Sequence, residues 1–167
     1  MRLDVIDYKL LDLLQRDARI TQSEMAAAVG MTQPAIADRL RKLEQDGAVL
    51  GYVARVDPRK LGKDITAFIG VGIEHPKHNP GFAKKILTIP DVLECHHVTG
   101  QDSYLLKVVT ETTESLDRLI SERIRIIPGV TRTHTTIVMS SVKEGSHIKP
   151  SAVASQPSPP RGRKRTR

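Results

Sequence analysis

Gln33, Arg39, Arg41 and Lys42 fall within ten residues of one another in the stretch TQPAIADRLRKLEQDG, Thr32 to Gly47. A glutamine amide can pair in two-pronged fashion with an adenine edge, an arginine guanidinium with guanine or phosphate, and a lysine ammonium with phosphate. Ile36, Leu40 and Leu43 recur at offsets of 4 and 7, the spacing of a buried helical stripe. On that helix Gln33, Pro34, Ala37, Asp38 and Arg41 point away from the core. Thr32, Gln33, Pro34 and Ala35 open it, where unpaired backbone amides suit an anion. Ala37, Asp38, Arg39, Arg41 and Lys42 continue the candidate surface. A charged helical face is also what plain solvation produces, so the surrounding elements must decide what this one meets.

The remaining reactive side chains are less organised. His75, His78, His96, His97 and His134 raise the question of a metal, but His96 and His97 are adjacent, and neighbours on a strand face opposite ways. HExxH and paired cysteines are both missing from the sequence, so no metal and no cofactor is expected. Cys95 stands alone and is expected to be a buried apolar residue on a strand rather than a redox switch. No acid/base pair stands out, and the chain is not expected to be an enzyme.

The elements that position the basic helix can be read on either side of it. Asp4 or a neighbour caps a first helix in which Ile6, Leu10, Leu13 and Leu14 form the core stripe. Thr21 followed by Glu24 is a capping-box signature for a short second helix, which Gly30 stops. Thr32 then caps the third helix, with Pro34 in the first turn, where a missing amide proton costs nothing. This is helix, short turn, helix. AVLGYVARV, Ala48 to Val56, has the β-branched and aromatic content of a short two-strand wing or connecting strand. DPRKLGKD, residues 57–64, reads as a hinge.

Past the hinge, Ile65, Ala67, Ile69, Val71 and Ile73 alternate as one strand with a buried face. A helix is expected at Pro80 to Leu87, strands at Val92 to Thr99 and Tyr104 to Thr110, helical spacing from Leu116 to Ile124, and a last strand near Val130 to Met139. IPDV at Ile89 and IPGV at Ile127 each end a helix and start a strand, an internal echo that fits the two halves of a ferredoxin-like βαββαβ domain over residues 65–144. The expected fold class is α+β, with a winged helix-turn-helix over residues 1–56.

Composition sets the outer limits. The chain has 167 residues, 39% hydrophobic and 27% charged, enough for two small cores. Its net charge of +7 is concentrated at one end: residues 145–167 hold six basic residues and no acid, leaving 20 basic against 19 acidic elsewhere. This Ser, Pro, Gly and Arg-rich end is expected to be a disordered basic tail, either a solubilising extension or a source of phosphate contacts. A lone cysteine and the charged Arg2, Asp4 and Asp7 fit a cytoplasmic protein, and no apolar run is long enough to span a bilayer.

Four segments in order, LDVIDYKLLDLLQRDARIT, GMTQPAIADRLRKLEQDGAVLGYVARVDPRKLG, VLECHHVTGQDSYLLKV and IPGVTRTHTTIVMSSVK, resemble the Lrp/AsnC regulators, over residues 3–143. The resemblance implies double-stranded DNA as a partner, a C-terminal effector-binding and oligomerisation domain, homodimers that often build octamers, and an amino acid or related metabolite as effector. Arg39 is the best-matched polar position of the DNA helix. Val98, Thr99, Gly100, Gln101, Asp102, Ser103 and Tyr104 resemble the loop that borders the ligand pocket, with Thr133 and Thr135 as a matching pair near it. Family members often carry Gly-Asp-x-Asp-Tyr there; in this chain Gln101 and Ser103 stand where the two acids would be, and Asp102 falls between them. An amino acid's ammonium group would be met differently.

Three functions fit this layout. The first is a sequence-specific transcriptional regulator whose assembly and DNA binding respond to an amino acid or related small metabolite. An effector-independent architectural DNA-binding protein is the alternative. A third is an enzyme akin to the sirohaem decarboxylases, which resemble this family in fold and would leave the basic helix unused.

Overall fold

The structure, a computed structural model, describes residues 3–150. The described residues divide into two compact units, one comprising residues 3–54 with 143–150 and the other Arg55–Val142.

The first unit is built on three helices, α1 (Val5–Arg16), α2 (Gln22–Val29) and α3 (Gln33–Gln45). Their ends follow from local chemistry. Asp4 accepts from the Asp7 amide at 2.8 Å while Asp7 accepts from the Asp4 amide at 2.9 Å, a reciprocal cap that satisfies two orphan donors of α1. Thr21 and Glu24 do the same for α2, which ends at Gly30 with φ of 70°. That left-handed backbone is tolerated most readily by glycine and turns the chain sharply into α3. Leu10, Met25, Ala26, Ile36, Leu40 and Leu43 close the core between the helices.

Residues 48–56 form no strand, contrary to the expected wing. Leu50 and Val53 are 96% and 89% exposed, and the segment is tied back to α3 where the Tyr52 hydroxyl donates to Glu44 at 2.9 Å. β-branched content favours a strand only where a neighbouring strand takes the backbone hydrogen bonds, and no described strand lies beside this segment.

In the second unit, residues 57–64 are more ordered than a bare hinge: Asp57 caps a 3-10 turn, Pro58–Leu61, that Gly62 ends. Then come β1 (Ile65–Ile73), α4 (Asn79–Ile86), β2 (Val92–His97), β3 (Tyr104–Thr110), α5 (Thr113–Arg118, prolonged by a π turn over Leu119–Ile124) and β4 (Val130–Ile137). The antiparallel sheet has the order β2-β3-β1-β4, which is the ferredoxin-like arrangement expected from βαββαβ. Alternation along β1 sends Ala67, Ile69 and Val71 to the helix-covered core with Phe82, Leu106, Val108, Leu116 and Ile124. Phe68, on the other face, is 37% exposed, and Leu105 is 36% exposed. The internal echo is real in three dimensions, because Val92 donates to Ile89 and Val130 to Ile127, each at 3.1 Å, in the same helix-to-strand turn.

The tail expected to be disordered runs from residue 145, and only its first residues, through Pro150, are described. Residues 147 and 148 are hydrogen-bonded to α1, and residues 151–167 lie outside the described ones.

Candidate DNA interface and ligand loop

The start of α3 is open. Thr32 occupies the N-cap position without a side-chain capping bond, so the first amides of the helix are not taken up by its hydroxyl. Thr32, Gln33 and Pro34 are exposed, and Ala35 and Ala37 are half-buried, giving a low surface flanked by longer polar side chains. Arg41 and Lys42 are exposed further along, both ion-paired to Asp38 one turn back. Those carboxylate pairs hold the two cations on the outer face and pull the Asp38 carboxyl below its usual range, Lys42 contributing first and Arg41 next. The pairs are solvent-exposed, so a phosphate can displace the carboxylate at little cost.

Arg39 is placed differently from the other candidates. Its Nη1 donates to Asp7 at 2.6 Å and to Asp4 at 2.8 Å, turning the guanidinium toward the N-terminus of α1. Asp7 is a buried acid, only 4% exposed. Partial burial alone would raise the Asp4 carboxyl, but the Asp7 amide and the Arg39 guanidinium outweigh it and hold Asp4 below its ordinary value. Arg39 thus locks α3 to α1, and the outward-facing set reduces to Thr32, Gln33, Pro34, Asp38, Arg41 and Lys42, with Ala35 and Ala37 between them. Sequence reasoning missed this clamp. Its signal was Asp4 and Asp7, two acids one turn apart at the start of a helix with an arginine on a facing one.

The loop between β2 and β3 is a tight, backbone-bonded turn. Val98 donates to the Ser103 carbonyl at 3.0 Å, Ser103 donates to Val71 at 2.9 Å, and the Ser103 hydroxyl accepts from Ile73 at 3.1 Å. Ser103 is therefore committed to holding the loop. Thr99, Gly100 and Gln101 form its exposed tip, and Gly100 has φ of 124°, which disfavours a side chain. Asp102 lies back across β1. A Cβ on Gly70 would sit 2.2 Å from its carboxylate and one on Gly72 would sit 2.7 Å from Arg132, so these two glycines make room for the Asp102–Arg132 pair, 3.3 Å apart.

The other ligand candidates do not join this cluster. Tyr104 is buried, its ring 4.7 Å from Phe82 and 5.0 Å from His97, and burial pushes its phenol up. Thr133 pairs with Val71 and Thr135 with Ile69, which puts both threonines on the helix-covered face, opposite Asp102 and Arg132. Thr133 accepts from Arg125 at 3.0 Å. The nine candidates thus divide into the two residues that tie the loop, Val98 and Ser103, an exposed tip of three, an acid on the open face and three residues on the covered face. Arg132 was not foreseen, although glycines two apart in a strand were a legible sign of close approach.

His96 and His97 do point to opposite faces, opposite Leu105 and Tyr104 respectively, and His96 is hydrogen-bonded to Glu94 at 3.1 Å. Cys95 is exposed rather than buried. It occupies the edge strand β2, whose outer flank no described strand covers. Among the described residues no helix is long and apolar enough to cross a membrane.

Comparison with known proteins matches both units. The model described as the AsnC-type helix-turn-helix domain matches residues 3–44, and the Lrp/AsnC ligand binding domain matches residues 66–148. The chain is similar to the proline dehydrogenase transcriptional activator of Rhizobium radiobacter, 35% identical over 144 residues, which cover 85% of this chain and 92% of that one. It is also similar to the solved feast or famine regulatory protein of M. tuberculosis complexed with L-methionine, with a TM-score of 0.83, 33% identity and coverage of 89% and 99% of the two chains. An L-methionine complex of a transcriptional regulator from Neisseria meningitidis gives a TM-score of 0.82 at 27% identity, covering 87% of this chain and 96% of that one.

Proposed function

The chain belongs to the Lrp/AsnC family of transcriptional regulators, with its DNA-binding and ligand-binding domains both present, and on that premise we propose that it binds specific DNA sites and that an amino acid or related small metabolite governs that binding through its state of assembly. The observation that carries the reading is the surface of α3: an N-terminus without a side-chain cap, Gln33 beside it and Arg41 and Lys42 beyond, all directed away from the helical core. A helix of this kind enters the major groove with its first residues at base edges.

Assembly is supported by what one chain leaves uncovered. Leu50, Tyr52 and Val53 are exposed in the extended segment after α3, and Phe68 and Leu105 are half-covered on the open sheet face. Pairing with a second copy would remove that apolar surface from water, the dominant favourable term in association. An effector that binds one assembly better than another shifts the population toward it, and this difference in affinity is the whole of its leverage. The L-methionine held by two of the structural neighbours makes amino acids the first ligands to try.

Asp102 gives a specific reason to weigh the effector-independent architectural reading, since its carboxylate already meets Arg132. A ligand ammonium would have to compete with that guanidinium. Both readings need α3. Gln33→Ala with Arg41→Ala should leave the helical content and elution volume unchanged and lower affinity for a preferred site by tenfold or more, each bidentate base contact contributing about 1–3 kcal/mol. Unchanged affinity and unchanged site preference in a gel-shift assay would sink the assignment.

A further inference from the structure

The two halves of the ferredoxin-like unit meet at a cavity remote from the β2–β3 loop. It has a volume of about 360 Å³ and lies between the end of α4 and the π turn that prolongs α5. Its walls come in matched pairs set by the IPDV and IPGV echo. Ile89 and Ile127, both buried, form the floor, and Lys85 and Arg123 each stand four residues before one of them. Thr88 and Ile126, each one residue before, follow the same pattern. The repeat thus delivers two cations to one apolar hollow, which neither half could build alone.

Both cations sit in the last turn of a helical segment, where positive charge offsets the partial negative charge of unpaired carbonyls. Much of that demand is already met. The Lys85 carbonyl accepts from the Thr88 amide at 3.0 Å and from its hydroxyl at 2.7 Å, the Ile86 carbonyl from the Ile89 amide at 3.0 Å, and that of Ile124 from Ile127 at 3.1 Å. Among the described residues no acid lines the cavity, and neither Lys85 nor Arg123 has an ion-pair partner. With the Thr88 hydroxyl turned to its own helix, two charged donors remain beside an apolar floor. We infer that the cavity binds a small carboxylate with an apolar body and no ammonium group. The carboxylate pairs with Lys85 and Arg123, the body lies on Ile89, Ile126 and Ile127, and an ammonium would meet two like charges. The site adjoins the start of β2, and that six-residue strand carries the chain about 17 Å to the β2–β3 loop. It stands apart from the effector reading of that loop and does not rest on it.

The test titrates the full chain by calorimetry at neutral pH with 4-methylpentanoate and with its neutral amide, 4-methylpentanamide. The carboxylate should bind at least about tenfold more tightly than the amide, the worth of one charge-assisted hydrogen bond. Lys85→Gln with Arg123→Gln changes two exposed positions, so the variant should keep the wild-type far-ultraviolet spectrum and lose the same factor in affinity. L-Leucine at saturation should leave the carboxylate titration unchanged. No binding at about 10 mM, equal affinity for acid and amide, or undiminished binding by the double variant would each overturn the site. Competition by L-leucine would overturn the exclusion of an ammonium. Self-association that the double variant abolishes, without carboxylate binding, would give the hollow to a second copy and overturn the inference.

Discussion

Two arginines two positions apart on α3 illustrate how geometry assigns role. Arg39 is directed to Asp4 and Asp7 of α1, and Arg41 to solvent with Asp38 as an exposed partner. Arg39→Ala would leave the buried Asp7 carboxylate with only its capping bond, a cost of about 1–3 kcal/mol after allowance for the partial exposure of Arg39. The helix-turn-helix unit should therefore melt several degrees lower in Arg39→Ala, while Arg41→Ala should melt as wild type does; calorimetry showing equal midpoints for both would refute the division. Glu111 offers a pH test in the other unit. Its bond to Lys63, which also reaches Asp91 at 2.7 Å, is the first cause of a carboxyl pKa lowered to about 2. Because the folded value lies below the unfolded value of about 4.3, the stabilisation is complete above the latter and disappears as pH falls through the former. The difference in denaturant midpoint between wild type and Glu111→Gln should be widest near neutrality, narrow below about pH 4 and close only as pH reaches about 2. A gap that does not change with pH would contradict it.

Among elements, the helices and strands were legible because their signals are local. Thr21 with Glu24, Gly30, and the alternation through Ile65, Ala67, Ile69, Val71 and Ile73 each specify an element within a few residues. IPDV and IPGV marked matching turns, and the structure adds a reason for the glycine in the second: a Cβ on Gly129 would lie 2.4 Å from the His78 ring, at φ of 91°. Gly129→Ala should accordingly cost about 1–3 kcal/mol, measured by urea unfolding. A variant as stable as wild type would show that the His78 contact gives way freely. What was illegible depends on neighbours distant in sequence. The segment 48–56 has strand-forming residues but no described strand to pair with. Cys95 has an apolar residue's setting in sequence and an edge strand's exposure in space. Thr133, Thr135 and Asp102 read as one pocket until the sheet register put them on opposite faces.

At the scale of the molecule, the body is nearly neutral, so attraction to DNA has to come from local groups: Arg41, Lys42 and the α3 N-terminus. The account's central claim is that one chain couples site-specific DNA binding to a small molecule. It is tested most directly by exposing purified protein to sheared genomic DNA at moderate salt, with and without a pool of amino acids, and sequencing the bound fragments. The account predicts a discrete palindromic motif, as expected for a two-fold dimer, with occupancy that shifts when the pool is added. Broad, salt-sensitive binding that is indifferent to the pool would contradict it and favour the architectural reading.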